Sequence, residues 1–170
     1  MKTFYHSTRS ANEAVTSKQA ILTGIAPDGG LYVSDQLGQA TLELSEVVSS
    51  GYHTIARNVL STLLPDYTAD EVASCVAGAY AENFDTPDVT PLTAVGSDWL
   101  LELWHGPTCA FKDVALQMLP RLMSVARAGE AAGGGVMIVT ATSGDTGKAA
   151  LDGFADVAGT GVDVIATKNA

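Results

Sequence analysis

Cysteine is scarce in this chain of 170 residues: only Cys75 and Cys109 occur, far apart in sequence. Two distant thiols imply no disulfide framework, and they fit a reducing cytoplasm. Basic residues are scarce too, 9 Lys and Arg against 19 Asp and Glu, for a formal net charge of −10. Such a surface repels nucleic-acid phosphates and favours solubility, as in many cytoplasmic enzymes. No apolar run approaches the ~20 residues of a membrane span. The opening residues, Met1 to His6, lack the apolar stretch of a secretory signal. The three histidines, His6, His53 and His105, do not stand at metal-ligand spacing, so no metal is expected. Internal repeats and low-complexity segments are absent as well.

What is present suits one domain with a real core, since 46% of the residues are apolar and the length is short for two domains. Ala26-Pro27-Asp28-Gly29-Gly30 is a turn signal running into a short strand, with Asp-Gly supplying positive φ. From Leu42 to Leu64 apolar residues fall at helical spacing, and Gly51 divides that stretch into two helices. A further helix is predicted from Ala69 through Tyr80, its positive N-terminal end favoured by Asp70 and Glu71. Residues 1–84 therefore read as mainly helical. The texture changes at Asp85-Thr86-Pro87-Asp88-Val89-Thr90-Pro91, taken as an internal boundary, and residues 85–170 read as the start of an α/β domain. Strands are predicted at Trp99–Trp104, Val136–Val139 and Gly161–Ala166, and helices at Asp113–Ala128 and Asp145–Val157. Pro120 should kink or split the first of these helices. Strands alternating with helices imply a parallel sheet with crossover helices. A chain that stops just after a strand suggests a piece of a longer protein.

Two stretches carry the chemistry. In Gly106-Pro107-Thr108-Cys109-Ala110-Phe111-Lys112-Asp113 a single lysine stands among apolar and small residues, at a loop feeding a helix. Burial and a helix N-terminus both disfavour its ammonium form, as a lysine that forms an imine with an aldehyde requires. Asp113 pulls the other way unless it is occupied in capping; the plainer alternative is a solvated Lys112–Asp113 pair. In Thr142-Ser143-Gly144-Asp145-Thr146-Gly147, amides and hydroxyls gather at a helix start, which suits an anion such as an amino-acid carboxylate. An ordinary strand-to-helix turn is an equal reading of that loop alone. Both stretches follow predicted strands, so topology could bring them to one sheet edge, where ligands of open parallel sheets collect.

Competing motifs fail. Only two residues separate Gly144 from Gly147-Lys148, and Ala149 follows, so this is no Walker loop. Asp145-Thr146-Gly147 spells the aspartic-protease triplet, but such enzymes pair two of these loops in an all-β fold. Gly133-Gly134-Gly135 precedes its strand and so makes no dinucleotide fingerprint. Cys109 has no evident His partner and reads as a core or pocket-wall thiol.

The run Trp104 to Asp113 together with Ala141 to Gly147 closely resembles threonine synthase, with supporting marks in Tyr5-His6-Ser7-Thr8-Arg9 and Ala26 to Val33. The resemblance covers the whole chain in order. It implies the tryptophan synthase β-like fold (fold type II of pyridoxal-phosphate enzymes), here only its N-terminal part. It also implies pyridoxal 5'-phosphate as cofactor, and a lyase that turns O-phosphohomoserine and water into L-threonine and phosphate. By the same resemblance Lys112 is the Schiff-base and proton-shuttling lysine, and Phe111 shapes the pocket. Ser143, Gly144, Asp145 and Thr146 hold the substrate carboxylate, with Asp145 also beside the cofactor's ring oxygen. Lys148 and His105 are candidates for the substrate phosphate, on charge and proximity. Family members are far longer, and their glycine loop for the cofactor phosphate lies beyond residue 170, which implies little turnover by this piece alone. A related phospholyase with another substrate and a non-catalytic module remain the alternatives.

Overall fold

The computed structural model describes residues 5–10, 14–128, 135–142 and 144–166. It begins with a small antiparallel sheet of three strands, β1 (Tyr5–Ser7), β2 (Ala14–Val15) and β3 (Tyr32–Ser34), in the order β2-β1-β3. The Ala26–Gly30 turn leads into β3 as expected, and Gly29 there has φ of 77°. Between β2 and β3 lies α1 (Ser17–Thr23), closed at its start by a capping box of Thr16 and Gln19.

The helical reading of the next residues holds. α2 (Leu44–Ser49) and α3 (Tyr52–Leu63) part at Gly51, and α4 (Ala69–Tyr80) has the predicted bounds. Thr68 and Glu71 form a second capping box on α4, and Glu71 also pairs with Lys18 of α1 at 3.0 Å. The 85–91 segment is packed rather than loose, because Val89 is fully buried with φ of 58°.

The expected Trp99–Trp104 strand is shorter and differently placed. β4 (Leu92–Val95) and β5 (Asp98–Leu101) form an antiparallel hairpin turned at Gly96, separate from the parallel sheet. The ladder stops at residue 102 because Pro91, the next partner in register, accepts the Glu102 amide but has no amide of its own to return, and the Glu102 carboxylate is taken by Thr93 and His105. The predicted Asp113–Ala128 helix is two, α5 (Asp113–Leu116) and α6 (Leu119–Arg127), with Pro120 in the first turn of α6, where its missing amide costs least. β6 (Val136–Thr142), α7 (Asp145–Phe154) and β7 (Thr160–Ala166) make one parallel βαβ unit.

The main core joins both halves of the chain: Val72, Val76 and Tyr80 of α4 pack with Val89, Met118, Leu122 and Ala126. A second cluster sets Met123 against Ala150 and Phe154, with Val136 and Ile138 beneath. Among the described residues no helix is long and apolar enough to cross a membrane.

Candidate functional site

The Lys112 segment is built around a buried carboxylate. Asp113 is 1% exposed and opens α5. Its Oδ2 accepts from the Thr108 amide at 2.8 Å and the Ala110 amide at 3.4 Å, and its Oδ1 accepts from the Thr108 hydroxyl at 2.6 Å. The chain folds tightly over it. Cys109 donates its amide to the Gly106 carbonyl and takes φ of 57°. A Cβ on Gly106 would lie 2.5 Å from that of Asp113, so only glycine leaves room for the carboxylate.

Asp113 is therefore occupied, as the capping alternative required, though in the preceding turn rather than at the helix end. Lys112 is half-buried and has no ion-pair partner among the described residues. Its ammonium lies 4.3 Å from the centre of the exposed Phe111 ring, a cation–π contact. The solvated Lys112–Asp113 pair is not formed.

The second stretch follows the carboxyl end of β6, where ligands of open parallel sheets collect. Thr142 Oγ1 accepts from the amides of Gly144 and Gly147, both at 3.2 Å. The Gly147 backbone passes so close to Thr142 that a Cβ would overlap the threonine methyl. Asp145, Thr146 and Lys148 in the first turn of α7 are exposed, and first-turn amides have no acceptor within their own helix. Ser143 lies outside the described residues.

A broad cleft of about 580 Å³ lies between the two stretches, lined by Pro107, Thr108 and Cys109 on one side and Lys148, Leu151 and Asp152 on the other. Lys112 follows the first wall three residues on and is not itself in the lining. The Lys112 segment reaches this edge from the antiparallel hairpin, so the expectation that it follows a strand of the parallel sheet is corrected. What brings the walls together is the contact of α5 with α7, where Gly153 lies against the Leu116 carbonyl. A relay through the buried Gln117 reinforces it, as Asn83 donates to Gln117 at 2.7 Å and Gln117 donates to the exposed Asp152.

His105 does not reach into this cleft as a free donor. Nδ1 meets Asp85 at 2.5 Å and Nε2 meets Glu102 at 2.7 Å, and the ring stacks on Trp104. The hydrogen bonds to Glu102 and then Asp85 raise its pKa. With both nitrogens committed, its candidacy for a phosphate weakens and that of the exposed Lys148 gains. Sequence reasoning missed Thr108, Thr142, Asp85 and Glu102 as organisers of the site. For Thr142 a signal existed, a hydroxyl residue just ahead of a helix start.

Comparison with known proteins follows the same lines. Residues 4–80 match the family model described as threonine synthase N terminus. The chain is 41% identical over 153 residues to threonine synthase of Pseudomonas aeruginosa, covering 88% of this chain and 32% of that protein. It is 34% identical over 141 residues to human threonine synthase-like 1, covering 80% of this chain and 19% of the other. The pyridoxal-phosphate-bound threonine synthase of Brucella melitensis superposes with a TM-score of 0.88 at 33% identity, over 98% of this chain and 36% of that one. The chain thus spans about a third of the length of the threonine synthases it matches.

Proposed function

We propose that this chain, a member of the threonine synthase family, forms the lysine-bearing part of a pyridoxal-phosphate lyase. The reaction is conversion of O-phosphohomoserine and water to L-threonine and phosphate, in the cytoplasm. The observation that carries this reading is the superposition on a cofactor-bound threonine synthase over 98% of the chain. The residues present fit the cofactor: Lys112 is an amine without a carboxylate partner among the described residues, and the open first turn of α7 suits an anionic group.

When bound, pyridoxal phosphate supplies an aldehyde for a lysine and a ring that withdraws electrons from the substrate's carbons. Lys112 Nζ would take and return protons at those carbons. The amides of Asp145 and Thr146 and the Thr146 hydroxyl would hold the substrate carboxylate, with Gly144 and Ser143 completing the loop. Thr142 would keep that loop in shape. Lys148, across the cleft from Pro107, would face the substrate phosphate as a point charge. Phe111 would wall the pocket. The Asp145 carboxylate would repel a phenolate unless the two share a proton, which would raise the site's proton affinity.

Borohydride reduction of the chain with pyridoxal phosphate, followed by peptide mapping, tests the reading. Selective modification of Lys112 supports it, and labelling scattered over surface lysines defeats it. Turnover is a separate question, and little threonine formation is expected from this chain alone. The likeness to threonine synthase-like 1 favours a second reading, a phospholyase with another substrate. Preference for phosphoethanolamine-type amines over O-phosphohomoserine in the whole protein would select it.

A further inference from the structure

We propose that Thr108 and Asp113 act together as a positioning pair that holds the Asp113 carboxylate off the Lys112 amine. The inference rests on the reading of Lys112 as the reactive lysine and deepens it. Asp113 follows Lys112 directly in sequence, so nothing in the covalent chain separates the two charges. A free aspartate there would have every reason to pair with the ammonium. A carboxylate beside an ammonium stabilises the protonated, unreactive form of the amine.

The fold prevents this. Asp113 turns away into the Gly106–Ala110 turn, where three neutral donors take both oxygens: the Thr108 amide, the Thr108 hydroxyl and the Ala110 amide. The space for it exists because residue 106 is glycine. Lys112 is left over the Phe111 ring, whose negative face attracts a cation without donating a full charge to it. Thr108 does double duty, since it also stands in the wall of the cleft opposite Lys148. The side chain that sequesters the carboxylate therefore fixes the cleft edge nearest the lysine.

A merely structural turn aspartate and a sequestered one respond differently to mutation, and a double variant separates them. Thr108→Val removes the hydroxyl donor and keeps the side chain's shape, whereas Thr108→Ser retains the hydroxyl. Asp113→Asn removes the charge and keeps the size. Its amide oxygen can accept from the turn amides and its NH2 can donate to the Thr108 hydroxyl. The readout is reductive methylation of the chain with formaldehyde and cyanoborohydride, with rates at Lys112 and Lys148 resolved by peptide mapping.

Thr108→Val should slow methylation of Lys112 about tenfold, the change that one pKa unit in an amine produces, and leave Lys148 unchanged. Thr108→Ser should match the parent. Adding Asp113→Asn to Thr108→Val should restore the rate at Lys112, since no carboxylate remains to pair with it. A purely structural role predicts that the double variant is as slow as Thr108→Val or slower, and that result overturns the proposal. So does an unchanged Lys112 rate in Thr108→Val. If the double variant fails to fold, Asp113→Asn alone decides, because a Lys112 rate below the parent's also overturns it. The reagent needs no cofactor. Failure of pyridoxal phosphate to label Lys112, with this methylation pattern intact, would sink the functional reading and leave the positioning pair standing.

Discussion

His105 joins three segments: Asp85 ahead of the hairpin, Glu102 at its end, and the turn that leads to Lys112. The two carboxylates that face it raise its pKa above the ordinary ~6.5 of an imidazole. A raised folded-state pKa stabilises fully below the ordinary value, and that stabilisation is lost as pH rises through the elevated one. Glu102 works in the opposite sense. Its pKa is lowered by Thr93 and then His105, so its contribution is present above the ordinary carboxylate value and lost as pH falls through the lowered one. The bracket is therefore strongest between about pH 4.3 and 6.5. The parent should exceed His105→Gln in melting temperature by more at about pH 5.5 than at about pH 8.5. A gap that is flat or widens with pH would refute this. His105 stood out in the sequence as a neighbour of the lysine motif, but its role did not. Asp85 is 20 positions away, and only the folded hairpin brings it near. Asp113 was legible only as an acidic residue in need of a partner, because the partners are defined by the backbone shape of the turn.

Gly153 shows what an element can hide. In a sequence, glycine late in a helix reads as a weakness worth about 1 kcal/mol against alanine. In α7 it is the point of closest approach to α5: a Cβ would lie 2.0 Å from the Leu116 carbonyl oxygen and 2.8 Å from its carbon. Backbone atoms cannot swing aside as a flexible side chain can, so the overlap outweighs the propensity gain. Gly153→Ala should lose about 2 kcal/mol in urea unfolding, the usual scale for overpacking. A variant as stable as the parent would mean that α7 is free to shift on α5. Helices with strong local signals were legible, among them α3 with its apolar spacing, α4 with its acidic first turn and the break at Pro120. α1 was missed although Thr16 and Gln19 spell a capping box, because seven residues hold too few apolar repeats to show a period. The hairpin was misread for another reason: a short apolar run looks the same in a parallel sheet and in an antiparallel pair, and only the partner strand distinguishes them.

At the scale of the whole molecule, the parallel sheet is covered on one side only among the described residues. Val136 and Ile138 of β6 face Met123, Ala150 and Phe154, whereas Met137 and Val139 are each 64% exposed on the other side. The β4–β5 hairpin, a separate sheet, also leaves Leu92, Val95, Trp99, Leu100 and Leu101 exposed. Parallel sheets ordinarily have both faces covered, and contiguous apolar patches mark interaction surfaces. The alternation in β6 could not reveal which side is open, since residues of both faces are apolar and the covering helices come from elsewhere in the chain. The two faces differ in what a substitution does. A charge at Ile138 would enter the cluster with Phe154, but one at Met137 or Val139 would meet solvent. The chain by itself should associate increasingly with concentration in sedimentation velocity. The double substitution Met137→Lys with Val139→Lys should shift it toward monomer while leaving its circular dichroism unchanged. A parent that stays monomeric across a wide concentration range would show that this face, though apolar and bare, does not drive association.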